Sequence, residues 1–201
     1  MHIDFKDLSA AQSLGIFVEW RHTHILHKGI DILSLPSNAR NHIKNVKNSL
    51  SVNFSDNHFK FNFKEAIQGN LEERERRKEL AIKLVESDKA MVVTAHHEGY
   101  IIAGAFLVHD INYTYMIHTW RNKDSQRGAM NYVITSASQF VFENTSSKLF
   151  DLEGSVIQGI DIFFSSFGTT ITPYGYVHWA RENSKMIELI NNSINISGRL
   201  C

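Results

Sequence analysis

The sequence predicts an α/β (α+β) fold built on a mixed sheet, in which an antiparallel meander is followed by strand, helix, strand, helix and strand. Three strand-like segments in succession, with connections of three residues, predict the meander. The 3.6-residue rhythm of the segment after them predicts a helix, and shorter apolar segments alternate with helical ones beyond it. An apolar content of 43% in 201 residues can cover such a sheet with a sizeable core.

The sequence shows no internal boundary. It contains only two prolines, no internal repeat and no low-complexity linker. We therefore expect a single domain over residues 1–201. A remnant of a preceding half-domain is an alternative interpretation of residues 1–55.

The formal charges balance, with 21 Lys and Arg against 21 Asp and Glu. Such a chain has no global field that would attract nucleic acid or an anionic membrane. Its only cysteine, Cys201, excludes an intrachain disulfide and a cysteine-based metal site. No stretch approaches the roughly 18 apolar residues that span a bilayer, and the first residues lack a signal-peptide pattern. We predict a cytoplasmic protein without membrane insertion.

Histidine is frequent, with 11 residues, but no pair has the spacing of a helical metal-binding motif. His22, His24 and His27 alternate along one segment. A polar strand edge is favoured over a metal site for these three residues, and we expect no metal.

The first part of the chain predicts three short strands and one helix. Residues 16–20 and 24–26 have the pattern of two short strands, and residues 50–54 predict a third. Ser37 predicts the cap of a helix over residues 38–49. The basic face of that helix consists of Arg40, Lys44 and Lys47.

Residues 70–87 predict a long charged helix. Its apolar residues recur at helical spacing and predict an inner stripe. The stripe consists of Leu71, Leu80, Ala81, Leu84 and Val85.

The meander is the clearest part of the sequence. Residues 90–96, 100–109 and 113–121 are strand-like, and their short connections demand antiparallel hairpins. The helix after them, over residues 129–143, turns an apolar face inward. That face consists of Met130, Val133, Ile134, Ala137, Phe140 and Val141. The remaining predicted elements are a strand over 148–152, a helix over 156–167, a strand over 170–179 and a helix over 182–191.

A basic loop joins the meander to the helix. It reads Arg121-Asn122-Lys123-Asp124-Ser125-Gln126-Arg127-Gly128-Ala129-Met130. A basic, glycine-bearing loop at a helix start offers backbone amides and a positive dipole end to a phosphate. The predicted cofactor-binding residues are Gln126, Arg127, Gly128 and Ala129, with an ordinary surface loop as the alternative.

A second motif lies after the helix. Phe150-Asp151-Leu152-Glu153-Gly154-Ser155 is followed by Gly159-Ile160 and by Phe163-Phe164-Ser165-Ser166-Phe167-Gly168. This order resembles the closing signature of Fem-type aminoacyltransferases in the GNAT superfamily. Arg127-Gly128-Ala129 stands where that superfamily keeps its acyl-carrier loop, and residues 35–44 are similar to the segment in which these proteins begin a basic helix. The resemblance covers about residues 30–180 and implies a GNAT-like sheet.

The resemblance implies an N-acyltransferase that moves an acyl or aminoacyl group to an amine. Because residues 126–130 lack the full spacing of the usual acetyl-CoA loop, the donor stays open between acyl-CoA and aminoacyl-tRNA. The expected acceptor is a small-molecule or peptide amine, and tRNA is a further candidate partner. A catalytically inactive GNAT-like binding module is the alternative function. A homodimer is a hypothesis for the oligomeric state.

Attack of an amine on an ester or thioester needs a base, donors for the oxyanion and an acid for the leaving atom. Asp151 and Glu153 lie two residues apart at a strand end, where they can orient an amine or cap the next helix. His118 is a candidate base, with a half-buried structural histidine as the alternative. Tyr174 is a candidate acid, with an aromatic strand residue as the alternative. The predicted substrate-binding residues are Arg40, Lys44 and Tyr115; a solvated helix face is the alternative for the two basic residues.

The two functions predict different geometries. A gap between the strands before and after helix 129–143, with backbone amides exposed at residues 126–129, favours the enzyme. A closed gap favours the inactive module.

Overall fold

The computed structural model describes residues 16–29, 35–54, 71–154 and 157–179. The predicted helix over 182–191 and Ser155 lie outside the described residues. The chain divides into two compact units, one formed by Thr23–Thr172 and one by Met1–His22 with Pro173–Cys201. The single domain over residues 1–201 stays a prediction.

Strands and helices alternate along the described residues. The strands are β1 (Ile16–His27), β2 (Ser51–Phe54), β3 (Ala90–His97), β4 (Tyr100–His109), β5 (Tyr113–Arg121), β6 (Leu149–Asp151) and β7 (Thr170–Trp179). The helices are α1 (Ser37–Val46), α2 (Leu71–Glu86), α3 (Ala129–Asn144) and α4 (Gln158–Ser165). None of these helices is both long and apolar enough to cross a bilayer.

The Thr23–Thr172 unit contains a mixed sheet whose strands follow the order β2-β3-β4-β5-β6-β1. β3, β4 and β5 form the predicted antiparallel meander, and β2 pairs antiparallel with β3. β6 runs parallel to β5, and residues Ile25, Leu26 and His27 of β1 pair antiparallel with β6. The predicted mixed α+β sheet is confirmed.

α3 covers one face of this sheet. Its residues Val133, Ile134, Ala137 and Val141 are fully buried, as the helical rhythm predicted. They belong to one apolar cluster with Leu107 of β4, and each large buried side chain stabilises the fold by about 1.5–3 kcal/mol. The α1 residues of the same cluster are Ala39, Ile43 and Val46.

α2 packs on the opposite face, because successive residues of a strand point to opposite sides of the sheet. Ala81 of α2 forms a second cluster with Ala90, Val92 and Phe106. The predicted inner stripe was too wide, since Leu71 is 72% exposed and Leu80 57%. These two lie roughly 80° and 100° around the helix from Ala81, on the two flanks of the buried face. Leu84 and Val85 are partly buried there, as predicted.

Two predictions near the first strands were wrong in detail. β1 is one strand of 12 residues, because Arg21-His22-Thr23 contains no turn residue and the pairing continues with His24 N–H donating to the Glu153 carbonyl at 3.3 Å. α1 begins at Ser37 itself, with Pro36 as the N-cap and no side-chain cap. The extended conformation of Pro36 starts the helix one residue earlier than predicted.

The smaller unit is described at β1 and β7, which are neighbouring strands. A Cβ on Gly175 would lie 3.1 Å from Val18 Cγ1, so the strands are in close contact there. The Arg21 guanidinium donates to both carboxylate oxygens of Glu19 at 3.1 Å and lies 4.0 Å from the centre of the Tyr176 ring. The hydrogen bond to Glu19 raises the pKa of Arg21.

A substitution at Gly104 tests the packing of β4 against β5. A Cβ at this position would overlap the Trp120 indole. We expect Gly104→Ala to lower the free energy of unfolding by about 1–3 kcal/mol, since overpacking displaces the ring. Urea denaturation followed by circular dichroism measures the loss. Combining it with Trp120→Leu should cost less than the sum of the single variants, and additive losses would contradict the overlap.

Candidate functional site

β5 carries a bulge in its second half. Phe106 of β4 pairs with His118 and Leu107 pairs with Met116, so Ile117 is an extra residue in β5. A bulge bends its strand and increases the local twist. The end of β5 is therefore turned relative to its start.

All three residues of β6 pair with the first three residues of β5. The parallel pairing joins Tyr113 to Leu149, Thr114 to Phe150 and Tyr115 to Asp151, and it stops there. Beyond the bulge, β5 continues to Arg121 without pairing to β6. The pairing between the strands that flank α3 therefore ends before the end of β5, and we call the unpaired stretch between them the gap.

The loop between β5 and α3 is fixed by polar contacts. Asn122 donates through its backbone N–H to the Ile102 carbonyl at 2.8 Å and through Nδ2 to the Ile101 carbonyl at 2.7 Å. The Ser49 hydroxyl donates to Gln126 Oε1 at 3.1 Å, and Gln126 Nε2 lies 3.3 Å from His97 Nε2. These contacts hold both ends of the loop.

Gly128 ends the loop in the left-handed region, with a φ of 104°. A Cβ here would overlap the backbone carbonyl oxygen of His42 in α1 and would lie 2.9 Å from its carbonyl carbon. Only glycine fits both the conformation and the close approach of α1. This contact places α1 beside the start of α3.

The first turn of α3 keeps free backbone donors. The Ala129 amide donates to the Gln126 carbonyl at 3.0 Å and the Tyr132 amide to the Gly128 carbonyl at 2.9 Å. Four other amides at this end have no hydrogen-bond acceptor among the described residues. They belong to Arg127, Gly128, Met130 and Asn131. Free amides at a helix start, together with the positive end of the helix dipole, form an anion site.

Asn131 adds a side chain to these amides. It is only 7% exposed, and its side-chain amide has no hydrogen-bond partner among the described residues. Most buried polar side chains in native proteins are paired. The remaining surface of Asn131 lies in the cavity described next, where a ligand can supply the missing partner.

A cavity of about 600 Å³ lies over this end of α3. Its residues come from α1, the end of β5, the loop, the start of α3, and α4. They are Asn38, Ala39, His42, Thr119, Trp120, Arg121, Gln126, Arg127, Gly128, Met130, Asn131, Gly159, Ile160, Ile162, Phe163 and Ser166. Both arginines are exposed, so the cavity combines free amides, cations at its edge and an apolar wall.

Three of the four predicted cofactor-binding residues line the cavity. These are Gln126, Arg127 and Gly128, while Ala129 is buried beside them. The Gln126 side chain is held by Ser49 and His97, so it fixes the loop. Their role as ligand-binding residues stays a prediction.

The two predicted carboxylates are Asp151, the last residue of β6, and Glu153, two residues later. Their surroundings differ. Asp151 accepts hydrogen bonds from the Thr23 hydroxyl and, at 2.7 Å, from the Glu153 amide. Glu153 has a left-handed φ of 64°. Glu153 has exposed surface. Burial of its carboxylate among protein atoms, and to a smaller extent the charge of Asp151, raises the pKa of Glu153. Asp151 therefore has structural partners, and the carboxylate of Glu153 has a raised pKa.

His118 lies on the stretch of β5 beyond the bulge. It faces the side of Phe106, opposite to the cavity, and its ring stacks with Trp120 at 6.2 Å. Its Nε2 is buried without a hydrogen-bond partner among the described residues. Burial lowers the pKa of His118, so the imidazole is neutral at neutral pH.

The remaining predicted residues are not among those that line the cavity. Tyr115 is near the start of β5, where its hydroxyl donates to Asp110 Oδ2 at 3.2 Å. Arg40 and Lys44 are on α1, but neither is among the residues of α1 that line the cavity. Tyr174 belongs to the smaller unit and is 39% exposed. Their functional roles stay predictions.

Sequence reasoning missed Asn131, His42 and the α4 wall. Asn131 carried a signal, since it precedes Ile134 by three residues and so lies on the inward face of α3 beside a basic loop. No sequence pattern placed His42 or α4 at the cavity, because only the fold brings them to the start of α3.

Comparisons with known proteins identify the fold. No family model matches the chain, and no curated protein matches it. FemX is similar with a TM-score of 0.66 and 13% identity, over 92% of this chain and 71% of that one. L-PGS from Bacillus licheniformis has a TM-score of 0.55 and 11% identity, over 94% and 69%. The tandem GNAT protein from the clavulanic acid biosynthesis pathway has a TM-score of 0.56 and 12% identity, over 92% and 61%.

At these identities the similarity shows the fold. The fold of this chain is similar to the folds of FemX, L-PGS and the tandem GNAT protein. The resemblance inferred from the sequence is confirmed at this level. The chain spans 61% of the tandem GNAT protein.

Glycine-to-alanine substitutions test the loop geometry. We expect Gly128→Ala to lower the free energy of unfolding by about 1–3 kcal/mol, because its φ is left-handed and α1 leaves no room. Gly159 is the matched control, since it lies in α4 with nothing within 4 Å of a Cβ. Gly159→Ala should be neutral or raise the free energy of unfolding by up to about 1 kcal/mol. Equal effects in chemical denaturation would contradict the constraint at Gly128.

The lowered pKa of His118 predicts a pH dependence of stability. The unfolded chain binds this proton near pH 6.5, whereas the folded protein binds it only at lower pH. The contribution of His118 is therefore fully present above about pH 6.5 and is lost as the pH falls. We expect His118→Gln to flatten the fall in unfolding free energy between about pH 7 and pH 5. His27→Gln, at an exposed position, controls for the loss of one imidazole, and parallel curves for wild type and His118→Gln would contradict the prediction.

Proposed function

We propose that this protein is an N-acyltransferase that takes an acyl group from a phosphate-bearing thioester of the acyl-CoA type and transfers it to an amine. The observation that carries the proposal is the set of unpaired donors at the start of α3. The amides of Arg127, Gly128, Met130 and Asn131, and the side chain of Asn131, converge on one cavity. A diphosphate is the compact multiple acceptor that such a cluster suits.

Charge at the edge of the cavity supports an anionic donor. Arg121 and Arg127 both line the cavity and are exposed. The whole chain is formally neutral, so these local cations and the α3 dipole supply the attraction. The phosphate groups of the donor are expected to lie between them and the amides.

The apolar wall suits the arm that joins a carrier diphosphate to its thioester. Ile160, Ile162 and Phe163 of α4 line the cavity beside the amides. A volume of about 600 Å³ lies within the roughly 300–1,000 Å³ of small-molecule sites.

The gap provides donors for the reacting carbonyl. Each strand residue directs its N–H and C=O toward one neighbouring strand, and pairing of β5 with β6 ends at Tyr115 and Asp151. The β5 amides that point toward β6 beyond this position are left for the carbonyl oxygen of the thioester. Donors fixed in advance stabilise the oxyanion that forms on attack.

The amine is expected to approach from the opposite side of the sheet. The cavity lies on the side of α1, α3 and α4, whereas His118 and Tyr115 face the side of Phe106 and Val108. Both sides meet only through the gap. Donor and acceptor can thus reach the same carbonyl carbon without competing for one cavity.

His118 and Glu153 are the candidate bases. His118 lies on β5 beyond the last paired residue and Glu153 follows β6, so they lie on the two strands that flank the gap. The amine nitrogen forms a bond to the carbonyl carbon, the carbon–sulfur bond breaks, and the amine loses a proton to the base. The leaving thiolate then takes up a proton. A neutral imidazole and a carboxylate of raised pKa are both suited to this transfer.

Binding of CoA tests the proposal. We expect calorimetric titration to show wild-type binding, and Asn131→Asp to weaken it about tenfold to a hundredfold, because the new carboxylate replaces a donor and repels phosphate. Asn144→Asp, at the far end of the same helix, is the control and should keep wild-type affinity. Thermal unfolding of each variant checks that it is folded.

Other outcomes have defined meanings. Binding of a stable aminoacyl-tRNA acceptor-stem mimic without binding of CoA would replace the thioester donor by a tRNA ester. Binding of CoA without transfer of an acetyl group from acetyl-CoA to any of a panel of amines would favour the inactive module. No binding of either ligand would overturn the proposed site.

A further inference from the structure

We propose that His24 is a positioning residue that holds α4 in place and thereby sets the shape of the donor cavity. The anchor itself is defined by contacts within the Thr23–Thr172 unit. Its effect on donor binding rests on the function proposed above.

His24 bridges β1, α4 and the segment after α4. Its side chain is completely buried. Nε2 lies 2.9 Å from Asp161 Oδ1 and Nδ1 lies 2.8 Å from the Thr169 hydroxyl oxygen. The ring also contacts Phe164 edge-on, with centroids 5.7 Å apart. Both nitrogens of the imidazole are therefore used, and all three partners belong to α4 or to its C-terminal connection.

α4 is a short helix, and polar contacts add to the packing of Phe163 and Phe164 on the core. It has eight residues, no side-chain N-cap bond, and Phe164 as its only buried residue in the described structure. Isolated helices of this length are unstable in water. One buried side chain stabilises a helix less than a core-facing stripe such as that of α3 does. The hydrogen bonds of His24 therefore add directional contacts to the apolar packing that attaches α4.

The cavity lies against other residues of the same helix. Ile160 and Phe163 line the cavity, and they alternate along α4 with Asp161 and Phe164, which contact His24. A change in the position of α4 would move the apolar wall relative to the amides of α3. His24 can thus affect donor affinity without touching the donor.

Asp161 is the best residue at which to test the anchor. Asp161→Ala removes the acceptor and leaves His24 Nε2 buried without it, whereas Asp161→Asn keeps an oxygen acceptor of the same shape. Gln158→Ala is the matched control, because Gln158 is an exposed residue of α4. Thr169→Val and Thr169→Ser repeat the comparison at the other nitrogen.

Hydrogen exchange of the ligand-free protein gives the first readout. We expect Asp161→Ala to speed amide exchange in peptides covering 157–167 by about tenfold or more, while peptides covering α3 keep their wild-type exchange. Asp161→Asn should restore most of the protection, and Gln158→Ala should leave it unchanged. Unchanged exchange in α4 would overturn the proposal, and so would equal acceleration in α3, because the bond would then serve general folding.

CoA affinity gives the second readout. We expect Asp161→Ala to weaken CoA binding about tenfold, with Asp161→Asn close to wild type. If the wild-type protein binds no CoA, the proposed function fails, while hydrogen exchange still decides whether His24 anchors α4. If α4 loosens but CoA affinity is unchanged, the inferred effect on the cavity is overturned.

Discussion

The short parallel pairing between β5 and β6 is the constraint on which the site depends. Three residue pairs join the strands, from Tyr113 with Leu149 to Tyr115 with Asp151, and the bulge at Ile117 bends β5 beyond them. α3 crosses between these two strands, so its start lies where they separate. If pairing continued to Arg121, the β5 edge would be satisfied by β6 and the start of α3 would face a closed sheet.

Polar contacts, rather than apolar packing, fix the parts that surround this gap. The core of the larger unit lies between α3, α1 and the middle of the sheet. The loop is held by Asn122 and Gln126, and α4 by His24. Directional bonds set position more narrowly than apolar contacts do. Hydrogen bonds of this kind fix the positions of the loop and of α4 at the edge of the larger unit.

The sequence predicted the fold better than the site. The meander and α3 were predicted closely because their apolar rhythms and short connections are local signals. The bulge at Ile117 was not, since nothing in the β5 sequence marks the extra residue. The basic loop was predicted from its composition, but its use of Gln126 as an anchor depends on Ser49 and His97, which are distant in sequence. Asn131 was missed because a helix rhythm does not show whether a polar residue has a partner.

Hydrogen-bond pairing distinguishes polar groups with a structural role from polar groups that folding does not use. A buried polar group without a partner costs about 1–3 kcal/mol, so a fold keeps one only where something else satisfies it. Asp151 and His24 have their bonds within the described chain and belong to the scaffold. The Asn131 side chain has no partner among the described residues but keeps some exposed surface, whereas His118 Nε2 is both buried and unpaired there. By this criterion the roles proposed for Asn131 and His118 fall on groups that folding leaves unpaired.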